Sequence, residues 1–267
     1  MTLFYKKLGK GPPVLILPGL LGSTDNWQWI AKQLASHYTL YLVDLRNHGQ
    51  SPHSTVMTYE AMAADVQALL AQQALEAPVL IGHSMGGKVA MQVAQTYPQV
   101  LAKLIVVDIA PRAYDMTRLA KIVQALKQTP LQKLRTRAEV DRYLSPSIPD
   151  AVVRLYCMKN LCRDEQGRLV WSSNMPALAD SIFHLEQAVS HQAPFTKPTL
   201  FVKADQSDYI QPQDLPLIKT LFPNYILAYI KDATHWVNYH QPQALLKVLA
   251  QFLQHTQATG CTKAVQP

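Results

Sequence analysis

The sequence predicts an α/β fold: a mostly parallel central sheet flanked by helices and interrupted once by a helical insertion. Three observations predict it. Residues 13–110 alternate short apolar, β-branched runs with amphipathic stretches of helical length, the pattern of βαβ units on a parallel sheet. The alternation stops at Pro111 and resumes near Pro198. A chain of 267 residues is long enough for one large domain or a domain carrying an insertion, with a core that needs no staple.

The first strand is expected over 13–18, an unbroken apolar run closed by Pro18 and Gly19, and the second over 39–45, where Leu, Tyr and Val recur. Strands three and four are expected over 79–83 and 103–109, each short, branched and apolar. Helical spacing places helices at 26–36, 59–73 and 85–97 between them. Residues 111–197 are rich in Arg, Lys, Gln and Leu, with helical spacing and several prolines, and form the expected cap. After it come strands at 199–204 and 225–230 and helices at 212–221 and 242–255. The core is therefore expected over 1–110 and 198–255. Residues 256–267 have no apolar face and are expected to fray.

Composition narrows the class. The chain is 48% hydrophobic and 16% charged, ordinary for a globular protein. Its longest apolar stretch, 14–21, is broken by Pro18 and Gly19 and falls far short of the roughly 18 residues a membrane span needs. Lys6, Lys7 and Lys10 precede a strand-like run rather than the apolar region and cleavage site of a signal peptide, so a cytoplasmic location is expected. Cys157, Cys162 and Cys261 suit free thiols better than a disulfide framework or a zinc site. The net charge of +7 is concentrated in the middle: residues 111–198 hold 13 basic and 8 acidic side chains, whereas 1–110 hold 7 and 6 and 199–267 hold 5 and 4. Such an excess aids solubility, and it can also attract an acidic partner. No nucleic-acid module or aromatic–basic interleaving accompanies it.

The chemistry centres on Gly82-His83-Ser84-Met85-Gly86. Small residues recur by chance, so this G-x-S-x-G gains its meaning from context: it follows the strand Val79-Leu80-Ile81 and opens the next helix. Such a turn is tight enough to need glycine on both sides and holds the serine Oγ above the sheet at a helix N-terminus, where developing negative charge is favoured. The alternative is a serine that merely caps a helix. A serine hydroxyl needs a base. Of nine histidines, His235 follows the last strand in Lys231-Asp232-Ala233-Thr234-His235-Trp236, a loop opening on the serine's edge of the sheet. His48, His53 and His240 read as loop or surface residues, and without H-E-x-x-H or a compact ligand cluster no metal is expected.

An oxyanion hole needs backbone N–H groups. Met85, after the nucleophile, offers one, and Leu20 in the loop Pro18-Gly19-Leu20-Leu21-Gly22-Ser23 offers the second. The acid that fixes the histidine tautomer is open among three carboxylates at strand ends: Asp108, Asp205 and Asp208.

Several further segments carry a resemblance: Val-Asp-Leu-Arg-Asn-His-Gly-Gln-Ser-Pro at 43–52, Met-Thr-Tyr-Glu-Ala-Met-Ala at 57–63, Val-Asp-Ile-Ala-Pro at 107–111 and His-Trp-Val at 235–237. With the serine motif and the 18–23 loop, they make nearly the whole chain resemble the bacterial YbfF-type carboxylesterases, a branch of the α/β-hydrolases. The resemblance implies the α/β-hydrolase fold, with a helical cap after the sixth strand. It implies a serine-dependent carboxylic ester hydrolase, working through an acyl-enzyme on small to medium acyl esters, with no cofactor. It also implies that the acid comes from the Asp-Ile-Ala-Pro strand end, matching Asp108, with Ser207 standing where most relatives place a carboxylate. Two features depart from the family: Pro18-Gly19 replaces its usual His-Gly, and the loop after residues 199–204 is more acidic.

Substrate choice is expected to come from the cap, with Tyr143, Tyr156, Trp171 and Phe183, together with Leu144 and Met158, either lining an acyl pocket or forming the cap's own core. The basic excess prompts a narrower expectation, a thioester on an acidic carrier such as coenzyme A or acyl carrier protein. The same residues would serve a carbon–carbon bond hydrolase or a cofactor-free haloperoxidase. A non-catalytic binding protein would have no need of Ser84, His235 and several acids together.

Overall fold

The computed structural model describes residues 1–191 and 193–254. Its central sheet is assembled from β1 (Tyr5–Leu8), β2 (Pro13–Leu17), β3 (Thr39–Val43), β4 (Val79–His83) and β5 (Lys103–Val107), then β8 (Thr199–Ala204) and β9 (Tyr225–Ile230). In space the order is β1-β3-β2-β4-β5-β8-β9. Only β1 runs antiparallel, pairing with β3 at the edge. The apolar runs read from the sequence are the six parallel strands; β4, β8 and β9 span the expected residues, and β2, β3 and β5 end one or two residues early, where a loop begins. β1 was missed because Lys6 and Lys7 occupy its middle.

A strand buried on both faces has no polar side to alternate with. Val14, Ile16, Leu40, Leu42, Ile81, Ile105, Val107, Leu200 and Val202 face one layer, with α1 (Gln28–Leu34) and α10 (Pro242–Gln254). Leu15, Leu17, Tyr41, Val43, Leu80, Leu104, Val106 and Phe201 face the other, with α2 (Tyr59–Gln72) and α3 (Met85–Thr96). Successive residues of one strand thus enter two different cores, the period-2 consequence of the pleat.

Between β5 and β8 the chain adds α4 (Thr117–Lys127), α5 (Arg137–Leu144), α6 (Ala151–Met158), a hairpin of β6 (Leu161–Arg163) and β7 (Leu169–Trp171), and α7 (Met175–Ser181). This insertion enters after the fifth strand in chain order rather than the sixth, because one antiparallel and four parallel strands precede it. It is also not wholly helical: three-residue strands are too short to leave a periodic signal. Its apolar residues, including Leu144, Tyr156, Met158, Leu178 and Leu185, continue the core of the α2–α3 face. Lys88 in α3 fastens its two ends, donating from Nζ to the carbonyls of Arg112 (2.9 Å) and Gln187 while lying over the rings of Tyr59 and Tyr114.

The chain closes with α8 (Leu215–Leu221) ahead of β9 and the short α9 (Val237–His240) ahead of α10. Cys157 and Cys162 are free thiols. Residues 256–267, expected as a tail, and Cys261 lie outside the described residues. Among the described residues, no helix is long and apolar enough to cross a membrane.

Candidate active site

Ser84 occupies the sharp turn from β4 into α3 with φ 53° and ψ −121°, a region that costs a non-glycine residue on the order of 1 kcal/mol or more. The turn is possible because its neighbours are bare. A Cβ on Gly82 would lie 2.2 Å from the Gly86 carbonyl oxygen, and one on Gly86 would lie 2.4 Å from the oxygens of Leu17 and Pro18. The Ser84 amide is tied to the Val107 carbonyl at 3.1 Å. Its side chain does not cap α3, which rules out the helix-capping reading and leaves Oγ to other partners.

One such partner is His235, in the loop between β9 and α9. Its Nε2 lies 2.9 Å from Ser84 Oγ and its Nδ1 lies 2.8 Å from Asp108 Oδ2. Asp108, wholly buried just beyond the end of β5, accepts at Oδ1 from the Ala204 amide (3.0 Å) and at Oδ2 from the Ser207 hydroxyl (2.5 Å). Burial pushes the Asp108 carboxyl up, but the hydrogen bond and charge of His235, with the bonds from Ser207 and Ala204, outweigh it and hold the group below the ordinary carboxylate range. Sheet order explains the convergence. β5 lies between β4, which ends at the serine turn, and β8, which leads to Ser207.

The other two carboxylates have different work. Asp208 is exposed and accepts from the Gln211 side chain at 2.8 Å. Asp205 accepts the Ala233 amide at 3.0 Å and so braces the loop that carries His235; the backbone N–H groups of Asp232 and Ala233 hold its carboxyl below the usual range.

The loop 18–23 forms a turn in which the Gly22 amide donates to the Gly19 carbonyl at 2.9 Å. Gly19 packs so close to the nucleophile that a Cβ there would lie 3.2 Å from the Ser84 Cβ. Among the described residues, the N–H groups of Leu20 and Met85 have no protein acceptor. The Pro18 that replaces the family's histidine leaves both amides in place.

Four residues escaped the sequence reading. Tyr209 stacks on the His235 ring, with centroids 3.8 Å apart and planes 19° apart. His83, inside the serine motif, donates from Nε2 to the His235 carbonyl at 2.9 Å; burial, then the neighbouring His235, pushes its pKa down to about 3, so it is a neutral support. His48, expected as a loop or surface residue, lies in a loop but is completely buried: its Nε2 accepts from the Leu21 amide at 3.0 Å, and burial pushes its pKa down to about 4. It is buried because the 43–52 segment folds inward around Asp44, which accepts from the amides of Thr24 and Gln50. Asn160 reaches the 18–23 loop from the insertion, donating to the Leu21 carbonyl. His53 and His240 are exposed, as expected.

Of the aromatic cap residues, only Tyr156 touches this site, donating its hydroxyl to the Leu20 carbonyl (3.1 Å) and lying against Trp236 with ring centroids 4.1 Å apart and planes tilted by 40°. Tyr143 and Phe183 are exposed, and Trp171 donates its indole N–H to the Leu126 carbonyl, within the insertion. Trp171 thus belongs to the insertion's own core, one of the two expected places, whereas Tyr143 and Phe183 are corrected to surface positions: amphipathic spacing identifies a helix's apolar side but not which neighbour it faces.

Comparison with known proteins shows the family. The family described as alpha/beta hydrolase fold matches residues 12–242. The chain belongs to the α/β-hydrolase family. It is similar to the esterase YbfF of Escherichia coli, with 31% identity over 90% of this chain and 92% of that protein. It is also similar to the sn-1-specific diacylglycerol lipase ABHD11 of Danio rerio, with 34% identity over 92% and 80%. A solved marine microorganism esterase shares 40% identity with a TM-score of 0.91, over 94% of this chain and 99% of that one. This α/β-hydrolase is an enzyme of the carboxylesterase type, and the resemblance read from its sequence holds.

Proposed function

We propose that the protein hydrolyses small to medium carboxylic esters through an acyl-enzyme on Ser84, with His235 as general base and Asp108 as the acid that orients it. One observation carries the reading: an unbroken line of hydrogen bonds from Asp108 Oδ2 through both nitrogens of His235 to Ser84 Oγ. Asp108 keeps the proton on Nδ1, so Nε2 is free to take the serine proton. Oγ attacks the ester carbonyl carbon, and the negative oxygen that forms is received by the amides of Leu20 and Met85. His235 returns the proton to the departing alkoxide, and water repeats the cycle on the acyl-enzyme.

The substrate is a neutral ester rather than a thioester on an acidic carrier. Several of the insertion's basic side chains are engaged structurally, among them Arg137 with the carbonyls of Leu161 and Met158, Arg154 with Asp141 and the carbonyls of Ile148 and Pro149, Arg163 with the carbonyls of Gly167 and Arg135, and Arg168 with Asp164. A lipid ester, as named for the diacylglycerol lipase relatives, falls in the same class.

The test is fluorophosphonate labelling combined with a panel of p-nitrophenyl esters of graded chain length. Wild-type protein is expected to be labelled at Ser84, and Ser84→Ala to lose label and about 10⁶ in kcat, as for serine triads elsewhere. Undiminished hydrolysis by Ser84→Ala would overturn the assignment.

A further inference from the structure

The oxyanion loop does not hold its own shape. In its Gly19–Gly22 turn, Leu21 stands at φ 60°, the left-handed position that a turn of this kind reserves for glycine or asparagine. A leucine there strains the backbone by roughly 1–2 kcal/mol. Something outside the turn must keep it in place.

Three buried side chains do so, from two directions. From the body of the protein, His48 Nε2 accepts the Leu21 N–H at 3.0 Å, and its Nδ1–H donates to the Arg46 carbonyl at 2.9 Å, which fixes the tautomer. From the insertion, Asn160 Nδ2 donates to the Leu21 carbonyl at 2.6 Å and the Tyr156 hydroxyl donates to the Leu20 carbonyl at 3.1 Å. Asn160 cannot turn its amide round. Its Oδ1 accepts from the Ser173 hydroxyl at 2.6 Å and its Nδ2 also reaches the Cys157 carbonyl at 3.2 Å. Flipping the amide would set an oxygen against two carbonyls and leave Ser173 without its acceptor. His48 and Asn160 are 0% and 2% exposed, so water does not replace them cheaply.

We propose that Asn160 is a positioning residue through which the insertion sets the oxyanion donor of Leu20: the insertion must be docked for the hole to be complete. The peptide groups on either side of Leu21 are gripped by Asn160 and His48, and the Leu20 N–H belongs to the adjoining peptide. Loss of Asn160 frees a strained leucine to relax toward negative φ, which rotates those peptides and turns the Leu20 N–H from the reacting carbonyl. The insertion then acts on the rate of reaction and not only on which acyl group enters. This inference rests on Leu20 being an oxyanion donor, as proposed above.

The experiment measures kcat and KM for a p-nitrophenyl ester and the inhibition constant of a trifluoromethyl ketone, which adds Ser84 Oγ to its carbonyl and places a negative oxygen in the hole. Asn160→Ala is expected to lower kcat about 10- to 100-fold, below the 10²–10³ for outright loss of a donor. KM should change by less than about threefold, since the ground-state carbonyl gains little from the hole. Ketone affinity should weaken in step with kcat. Tyr156→Phe removes one hydroxyl and should give a smaller loss of the same kind, about 3- to 10-fold; it carries the test if Asn160→Ala does not fold by circular dichroism. Folded variants with unchanged kcat and ketone affinity would overturn the proposal, as would a loss confined to KM. Wild-type protein that resists fluorophosphonate at Ser84 would instead overturn the triad reading, so the two failures are distinct.

Discussion

Asp108→Asn exchanges one carboxylate oxygen for an amide nitrogen at a site where three donors converge. Oδ1 faces the Ala204 N–H, and Oδ2 faces both the Ser207 hydroxyl and His235 Nδ1. If the new nitrogen takes the Oδ1 place, two N–H groups oppose each other in a fully buried setting, at a cost of about 1–3 kcal/mol. If it takes the Oδ2 place, Ser207 can rotate its hydroxyl to accept, but His235 can adapt only by moving its proton from Nδ1 to Nε2. The second arrangement is the less costly, and it removes the base, because Nε2–H then points at Ser84 Oγ. The fold survives while kcat falls about 10⁴-fold, the size found for this exchange in a serine protease triad, or about 5 kcal/mol of barrier. Asp208→Asn, which alters an exposed carboxylate bonded to Gln211, should stay within about threefold of wild type, as surface changes do. The assay is p-nitrophenyl ester hydrolysis under saturating substrate, with circular dichroism to show that both variants fold. Folded Asp108→Asn retaining more than about a tenth of wild-type kcat, or Asp208→Asn losing more than Asp108→Asn, would refute the reasoning.

Two predictions concern stability. Gly86→Ala forces a Cβ against the carbonyl oxygens of Leu17 and Pro18, both backbone atoms with no rotamer to yield; the variant should lose about 2 kcal/mol or more in urea unfolding and most of its esterase activity, and a wild-type midpoint would contradict this. His48 and His83 have folded pKa values of about 4 and about 3, against 6.5 ordinarily. Between pH 6.5 and 4 the unfolded chain therefore binds more protons than the folded one, so the stability these groups contribute is full above pH 6.5 and declines as pH falls. Each contributes a loss of about 2 kcal/mol between pH 7 and pH 5. Urea titrations should show that decline shrinking by about this amount in His48→Gln; an identical pH dependence in that variant would contradict the burial account.

Much of this was legible in the residues, and the reasons are specific. Strands buried on both faces announce themselves as apolar runs, so β2, β3, β4, β5, β8 and β9 could be read directly. Ser84 and His235 could be named because one sits in a motif with steric demands and the other follows the last strand. Choosing among Asp108, Asp205 and Asp208 was different. All three occupy the same edge of the sheet, and what separates them is strand order, which brings the end of β5 beside Ser84, together with Ser207 donating to Asp108. Asn160 and Tyr209 left no signal: a contact with a distant segment, or between side chains of two separate loops, has no local period. The burial of His48 was not legible for a related reason, since loop sequence says little about whether a loop folds inward.

The clasp of Lys88 on Arg112 and Gln187 has a consequence for how such a protein can change over generations. Because the chain leaves and re-enters the body at two points held by one ammonium group, the stretch between them is a closed graft. The register of β5 and β8 is set by their own pairing, so a change in the stretch's length or content falls on its contact with the α2–α3 core rather than on the sheet. New pockets can thus be tried over an unchanged serine, histidine and aspartate. The exchange has one condition: every replacement must again present a donor to the carbonyl of Leu21.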